Sequence, residues 1–258
     1  MTEALLHPRN VPEDVLTWQA GAKTVTVHCF TGTAEASGYV ADAIAAALHQ
    51  ALDTRGEALW LGCGGGTPKP VYKHLTYAEL DWSRIKLVQA DERFVVTDDA
   101  ASNTRMMSEA LASVIGSGKM ELISLIQDLS DPAACAAKVE AKLKALGHGS
   151  APMFDIALMG MGPDAHYASI FPHHAISSEA YTTDKLVLPV SPAGDPVLPR
   201  ITLTAPALNH CRRILFYITG QAKLDVLKTA SLDADPQTSP IGAFLAQAKA
   251  PVDFVWAA

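Results

Sequence analysis

Three stretches hold side chains whose type and spacing suit chemistry. In residues 157–172, ALMGMGPDAHYASIFP, an apolar run breaks at Gly160 and Gly162. It then presents one ionisable ring, His166, two positions after Asp164. An imidazole that is neutral near pH 7 can take a proton from water or from a substrate. Pro163 and Asp164 predict the start of a helix with His166 in its first turn, where the positive helix end favours the uncharged ring. The competing reading is a histidine that caps or packs. His173 and His174 raise a metal site with His166, but no further ligand falls at a recognisable spacing, and no metal is assigned.

The second stretch, LGCGGGTPK (residues 61–69), has the ingredients of an anion cradle. Gly64, Gly65 and Gly66 let backbone N–H groups converge, and a following helix adds its positive end. Thr67 reads as the N-cap of that helix, with Pro68 in its first position. The G-K-[ST] ending of a Walker A loop is absent. As a dinucleotide fingerprint the stretch fails at its third glycine, where Thr67 stands, although Asp91 lies about where a ribose-binding acid would. A tight turn with no ligand is the alternative. The third stretch, QADERFV (residues 89–95), puts Asp91, Glu92 and Arg93 at a strand end. Arg93 suits a phosphate or carboxylate held by two parallel hydrogen bonds. Asp91 suits a sugar hydroxyl or a proton transfer. A solvated sheet margin is the plain reading of the same residues.

Strand-like and helix-like segments alternate along the chain, and they must position these groups. TVTVHCF (24–30), EALWLGC (57–63), IKLVQAD (85–91), ELISLI (121–126), FDIALMGM (154–161), KLVLPV (185–190), RITLT (200–204), RILFYITG (213–220) and VDFVWA (252–257) read as strands. Residues 34–52, 102–111, 132–146, 221–229 and 241–249 read as helices, and TPKPVYKHL (67–75) opens another. The pattern predicts α/β architecture with a mostly parallel sheet covered on both faces. Ligands of such sheets bind beyond the carboxyl ends of the strands. The three stretches above fall there, as do residues 220–223, which include Lys223. Residues 189–199, rich in Pro, Ala and Gly, read as a long surface loop.

Composition narrows the class. The chain has 258 residues, 49% apolar and 18% charged, which fits a globular fold. A net charge of −7 argues against nucleic acid as a partner. The four cysteines, Cys29, Cys63, Cys135 and Cys211, are far apart and read as buried reduced thiols. The opening residues MTEALLHPRNVPED lack the pattern of a secretory signal, and no apolar run is long enough to span a membrane. A cytoplasmic location is expected.

Taken together the motifs resemble a known family. GGGTPKPVY (64–72), DERFV and SNTRMM within 91–107, FDIALMGMGPDAHYASIFP (154–172), RITLT (200–204) and ITGQAK (218–223) occur in the order found in 6-phosphogluconolactonases, within the glucosamine-6-phosphate isomerase/deaminase-like superfamily. The similarity runs from about residue 30 to about residue 256. It implies a Rossmann-like three-layer α/β/α fold in one domain over residues 1–258. It also implies hydrolysis of 6-phospho-D-glucono-1,5-lactone, without metal or organic cofactor. A monomer or small homo-oligomer is expected. His166 matches the general base. Gly64, Gly65, Gly66 and Thr67 match the glycine turn. Arg93 and Lys223 match basic ligands of the phosphate or of the sugar acid end, with Arg200 a further candidate. Asp91 and Asp164 would orient the ring or a hydroxyl.

Three positions depart from the family pattern. The usual G-H-T is Ala165–His166–Tyr167 here, so Ala165 is strained if φ must be positive. Tyr167 is expected to narrow the pocket. Gly66 stands for a usual serine and removes a hydroxyl. Rival readings are an isomerase or deaminase of the same superfamily, with Asp91 as base, and a non-catalytic sugar-phosphate sensor. The first would need a further acid near the histidine, and residues 167–172 offer none.

Overall fold

The structure, a computed structural model, describes residues 10–258, so most of the opening stretch that bears on a secretory signal lies outside the described residues. The chain starts with an antiparallel pair, β1 (Asp14–Ala20) and β2 (Lys23–Phe30). The long helix α1 (Thr33–Arg55) follows and ends on Gly56 in the left-handed region at φ 80. Next come β3 (Ala58–Gly62), α2 (Lys69–Leu75), β4 (Ile85–Gln89), β5 (Asp91–Arg93), α3 (Asn103–Ala110) and α4 (Ala112–Ile115). Then follow β6 (Glu121–Ile123), α5 (Pro132–Leu146), β7 (Ile156–Met159), α6 (Glu179–Thr182), β8 (Val187–Ala193) and β9 (Leu198–Leu203). The chain closes with α7 (Ala205–Leu208), β10 (Ile214–Thr219), α8 (Gln221–Ala230), α9 (Pro240–Gln247) and β11 (Val252–Ala257).

Eight strands form one sheet in the order β1-β2-β11-β10-β7-β3-β4-β6, parallel throughout except for the β1–β2 pair. Alternate residues of each buried strand face opposite sides. Trp60, Leu158 and Tyr217 pack with Val40, Ile44, Tyr72 and Met107 of α1, α2 and α3. Leu61, Met159 and Phe216 pack with Val139, Leu227 and Phe244 of α5, α8 and α9. The result is the expected three layers. Chain order runs outward through β3, β4 and β6, then returns to β7 on the other flank of β3. The strand order therefore reverses between β3 and β7, and a crevice is expected at their carboxyl ends.

The sequence reading needs three corrections here. IKLVQAD is not one strand. Ala90 donates to the Gly62 carbonyl and accepts from Leu203 N, and the chain then turns into a separate three-stranded antiparallel sheet, β5-β9-β8. Residues 189–199 are not a long loop, because β8 and β9 extend through most of them as a hairpin with an irregularity between Val190 and Ala193. Prolines suggested a loop, but an edge ladder tolerates them where no N–H is needed. Finally, β1 is an added strand: four of its seven residues are exposed, yet Leu16, Trp18 and Ala20 alternate along it and pack against the core, a pattern the sequence reading left out. All four cysteines are buried and free, as expected.

Candidate active site

The exit from β3 is shaped by glycines with different tasks. A Cβ on Gly64 would lie 1.8 Å from Asn103 Oδ1, so only glycine lets that amide lie against the turn. Gly65 has φ +104, a conformation that L side chains rarely adopt. Gly66 has open space around its Cβ position. Thr67 does not cap α2. The helix starts at Lys69 with Pro68 before it and no side-chain cap, because residues 66–68 are spent in a turn. Tyr72 Oη donates to the Cys63 carbonyl at 2.6 Å, tying helix to turn. Burial, and next the charge of Asp91, push the Cys63 thiol up to about 12, so it stays protonated.

Beside this turn, Asp91 and Arg93 leave β5 in different states. Asp91 is 6% exposed, accepts from Ser169 Oγ at 2.5 Å and lies 3.9 Å from Arg200 Nη1. Arg93 donates through Nη1 to the Ala101 carbonyl at 2.7 Å and to Asn103 Oδ1 at 3.0 Å. Its Nε has no partner among the described residues. Arg200 is buried and already occupied. Nε and Nη2 donate to the carbonyls of Ala193 and Pro196, and its guanidinium sits 5.3 Å from the centre of the Phe171 ring. Burial lowers the Arg200 pKa against the opposing pull of Asp91. This arginine braces the β8–β9 hairpin, and as a substrate ligand it is the least available of the basic residues named from the sequence.

After β7 the expected helix does not form. Residues 163–172 make turns, so no helix end acts on His166. Four features hold the ring instead. Asp164 Oδ1 lies 2.5 Å from His166 Nδ1. Gly162 leaves room for the ring, since a Cβ there would fall 2.1 Å from Cε1. The Phe171 ring lies against the imidazole with centroids 4.4 Å apart. The backbone closes on itself where Gly162 N donates to the His166 carbonyl at 2.8 Å. Burial alone would raise the Asp164 carboxyl, but the hydrogen bond and charge of His166 outweigh it and hold it below the usual carboxylate range. A carboxylate only accepts, so the proton sits on Nδ1 and the Nε2 lone pair is free to take another. Ala165 has φ 66, as its replacement of glycine implied. Tyr167 does not narrow a pocket. Its ring is fully buried against Phe216 and Phe244, on the core side of the loop.

The exits converge. A Cβ on Gly160 would lie 3.9 Å from Cys63 Sγ, which brings the β7 exit against the glycine turn. Lys223, in the first turn of α8, is close enough for its charge to act on Cys63. Burial lowers the Lys223 pKa, and Cys63 opposes this. Ser169 joins the His166 loop to Asp91. The His174 ring is bonded to Ser191 Oγ and Ile176 N and lies by the same Phe171 ring as His166, its centroid 6.5 Å from that of Phe171. Among the described residues no group of three His, Cys, Asp or Glu side chains is placed to hold a metal ion.

The chain as a whole is similar to known proteins. The sequence profile of the family described as glucosamine-6-phosphate isomerases/6-phosphogluconolactonase matches residues 32–256. The chain belongs to that family. A 6-phosphogluconolactonase of Rhizobium meliloti is 32% identical over 91% of this chain and 99% of its own. The crystal structure of a 6-phosphogluconolactonase from Shewanella baltica superposes with a TM-score of 0.83 at 34% identity, covering 92% of this chain and 99% of that one. The crystal structure from Thermotoga maritima gives 0.74 at 30% identity, covering 90% and 99%. Within the family frame, motif reading missed Asn103, Glu92, Ser169 and Phe171 as supports of the site. All four lie within the motifs that carry the resemblance, yet no spacing rule shows that a buried amide will rest on a glycine.

Proposed function

We propose that this protein is a 6-phosphogluconolactonase. It hydrolyses 6-phospho-D-glucono-1,5-lactone to 6-phospho-D-gluconate in the oxidative pentose phosphate pathway, as a single cytoplasmic domain acting as monomer or small homo-oligomer. The observation that carries the reading is the Asp164–His166 pair at the carboxyl end of β7, beside an open glycine turn. His166 Nε2 removes a proton from water as the oxygen attacks the lactone carbonyl. The C1–ring oxygen bond then breaks, and the imidazolium returns its proton to that ring oxygen. Asp164 holds the tautomer and offsets the imidazolium charge. Such acid–base help is worth roughly 10²–10⁴-fold.

The phosphate lies against the N–H groups of Gly65, Gly66 and Thr67, with Lys223 as its cation, and Gly64 sets the turn. Arg93 faces the substrate's other polar end or shares the phosphate. This remote grip keeps the carbonyl in register with the base. Every proton in the scheme moves on a side chain of the protein itself. The isomerase or deaminase reading needs Asp91 as a mobile base, but Asp91 is 6% exposed and bonded to Ser169 with Arg200 nearby. Loss of freshly made lactone, corrected for spontaneous hydrolysis, is the direct test, with glucosamine 6-phosphate assayed in parallel. Turnover of the lactone alone is expected, and turnover of the amino sugar alone would overturn the reading.

A further inference from the structure

We propose that Asn103 is a positioning residue that locks Arg93 to the glycine turn. The assignment rests on the reading of Arg93 as a ligand of the substrate. Asn103 is the first residue of α3 and is 2% exposed. Its amide oxygen accepts from Arg93 Nη1 at 3.0 Å, and its amide nitrogen donates to the Asp91 carbonyl at 3.0 Å. The same amide lies against Gly64, where a Cβ would fall 1.8 Å from Oδ1. One side chain of α3 thus touches both β5 and the glycine turn, so three segments meet at it. With Nη1 committed to Asn103 and Ala101, the rest of the guanidinium points its donors elsewhere, and Nε has no partner among the described residues. A fork held by one prong is preset for an anionic oxygen on the other.

The amide cannot drift, because its own backbone is pinned. Glu92, fully buried, accepts from Asn103 N at 2.7 Å, Thr104 N at 2.6 Å and Gln89 Nε2 at 2.9 Å. The carboxylate sits at the positive end of α3, where a negative charge is favoured. Sequence distance hides this joint, since Asn103 lies ten residues beyond Arg93 and far beyond Gly64.

A double-mutant cycle reads the coupling. Asn103→Ala is expected to raise KM for the lactone about 10-fold while kcat changes less than about 3-fold, since a misplaced arginine weakens grip more than chemistry. In an Arg93→Ala background the same change is expected to alter KM by less than about 2-fold. Equal KM factors in both backgrounds would show that Asn103 only packs, and would overturn the assignment. Thermal unfolding is followed for each protein, and Asn103→Ser carries the same cycle where the alanine variant does not fold. Wild-type turnover is a separate readout. Its absence overturns the functional reading and this assignment with it, whereas normal wild-type turnover without coupling overturns the assignment alone.

Discussion

The two chain exits at the carboxyl ends of β3 and β7 are built on opposite plans. After β3 the chain offers backbone: Gly65 and Gly66 are exposed and carry no side chain, and the Cβ direction of Gly66 meets nothing within 4 Å. After β7 it offers one side chain and invests its local structure in holding it. Gly162 makes room for His166, Asp164 bonds the ring, Phe171 backs it, and Ala165 and Ala168 adopt positive φ to close the loop. Gripping a phosphate tolerates latitude, because several amides share the charge. Moving a proton does not, because the ring must stand within hydrogen-bond reach of one oxygen. The contrast predicts that small changes at the β7 exit strike turnover and small changes at the β3 exit strike affinity.

The largest effects test the β7 side. His166→Ala is expected to fold normally and to lose about 10²–10⁴-fold in kcat. Gly162→Ala leaves the base in the sequence but sets a methyl 2.1–2.2 Å from its ring atoms, so a loss of the same order is expected from displacement alone. Near-normal kcat in either variant would break the comparison. Asp164→Asn comes next. An amide can present its NH₂ to Nδ1, which moves the ring proton to Nε2 and removes the acceptor, so a loss of about 10²-fold in kcat with little change in KM is expected. Because His166 holds Asp164 below the usual carboxylate range, this carboxylate should stay ionised to a lower pH than an ordinary aspartate. A titration of the Asp164 carboxyl by NMR checks that direction.

What was legible beforehand divides along the same line. Strands such as LWLG and IALM are buried on both faces and read as apolar runs, so the mostly parallel core of the sheet follows from alternation. The β8–β9 hairpin did not, because its prolines mimic a loop and its register is fixed only by pairing. His166 is legible from its place after a strand, but its surroundings are not, because the loop makes no helix there. Its geometry comes instead from Asp164, which was named, and from Phe171, which was not. Gly64 and Asn103 are 39 positions apart in sequence, and only folding shows that one exists to admit the other.

Smaller effects belong to the β3 side. Lys223→Met removes one charge-assisted contact worth about 1.5–3 kcal/mol, so KM is expected to rise about 10–100-fold with kcat nearly kept. Burial lowers the Lys223 pKa, so the free enzyme loses this cation at a lower pH than an ordinary lysine would. In the wild type kcat/KM should therefore fall on the alkaline side before the usual lysine range. The fall should vanish in Lys223→Met, which has no proton to lose there. A profile whose alkaline limb survives the substitution unchanged would assign that limb to another group.

The smallest effect concerns strain at the β7 exit, where three terms compete at Ala165. Relief of a left-handed L-residue is worth about 1–2 kcal/mol in favour of Ala165→Gly. Against it stand about 0.4–1 kcal/mol from the greater freedom of glycine in the unfolded chain and about 0.8 kcal/mol from a lost buried methyl. Ala165 is 4% exposed, so the methyl counts nearly in full. The expected change in unfolding free energy is within about 1 kcal/mol of zero by denaturant titration. This near-cancellation explains how alanine replaces the glycine of the related G-H-T pattern without the loop opening, since Ala165 N still bonds Gly162 O at 3.2 Å and Ile241 N bonds the Ala165 carbonyl at 3.2 Å. Ala165→Val meets no such balance. A branched Cβ at φ 66 adds strain and crowds a filled core, so a loss above about 2 kcal/mol is expected. Equal stability of the glycine and valine variants would show that the loop is looser than its bonds imply, and would dissolve the contrast between the two exits.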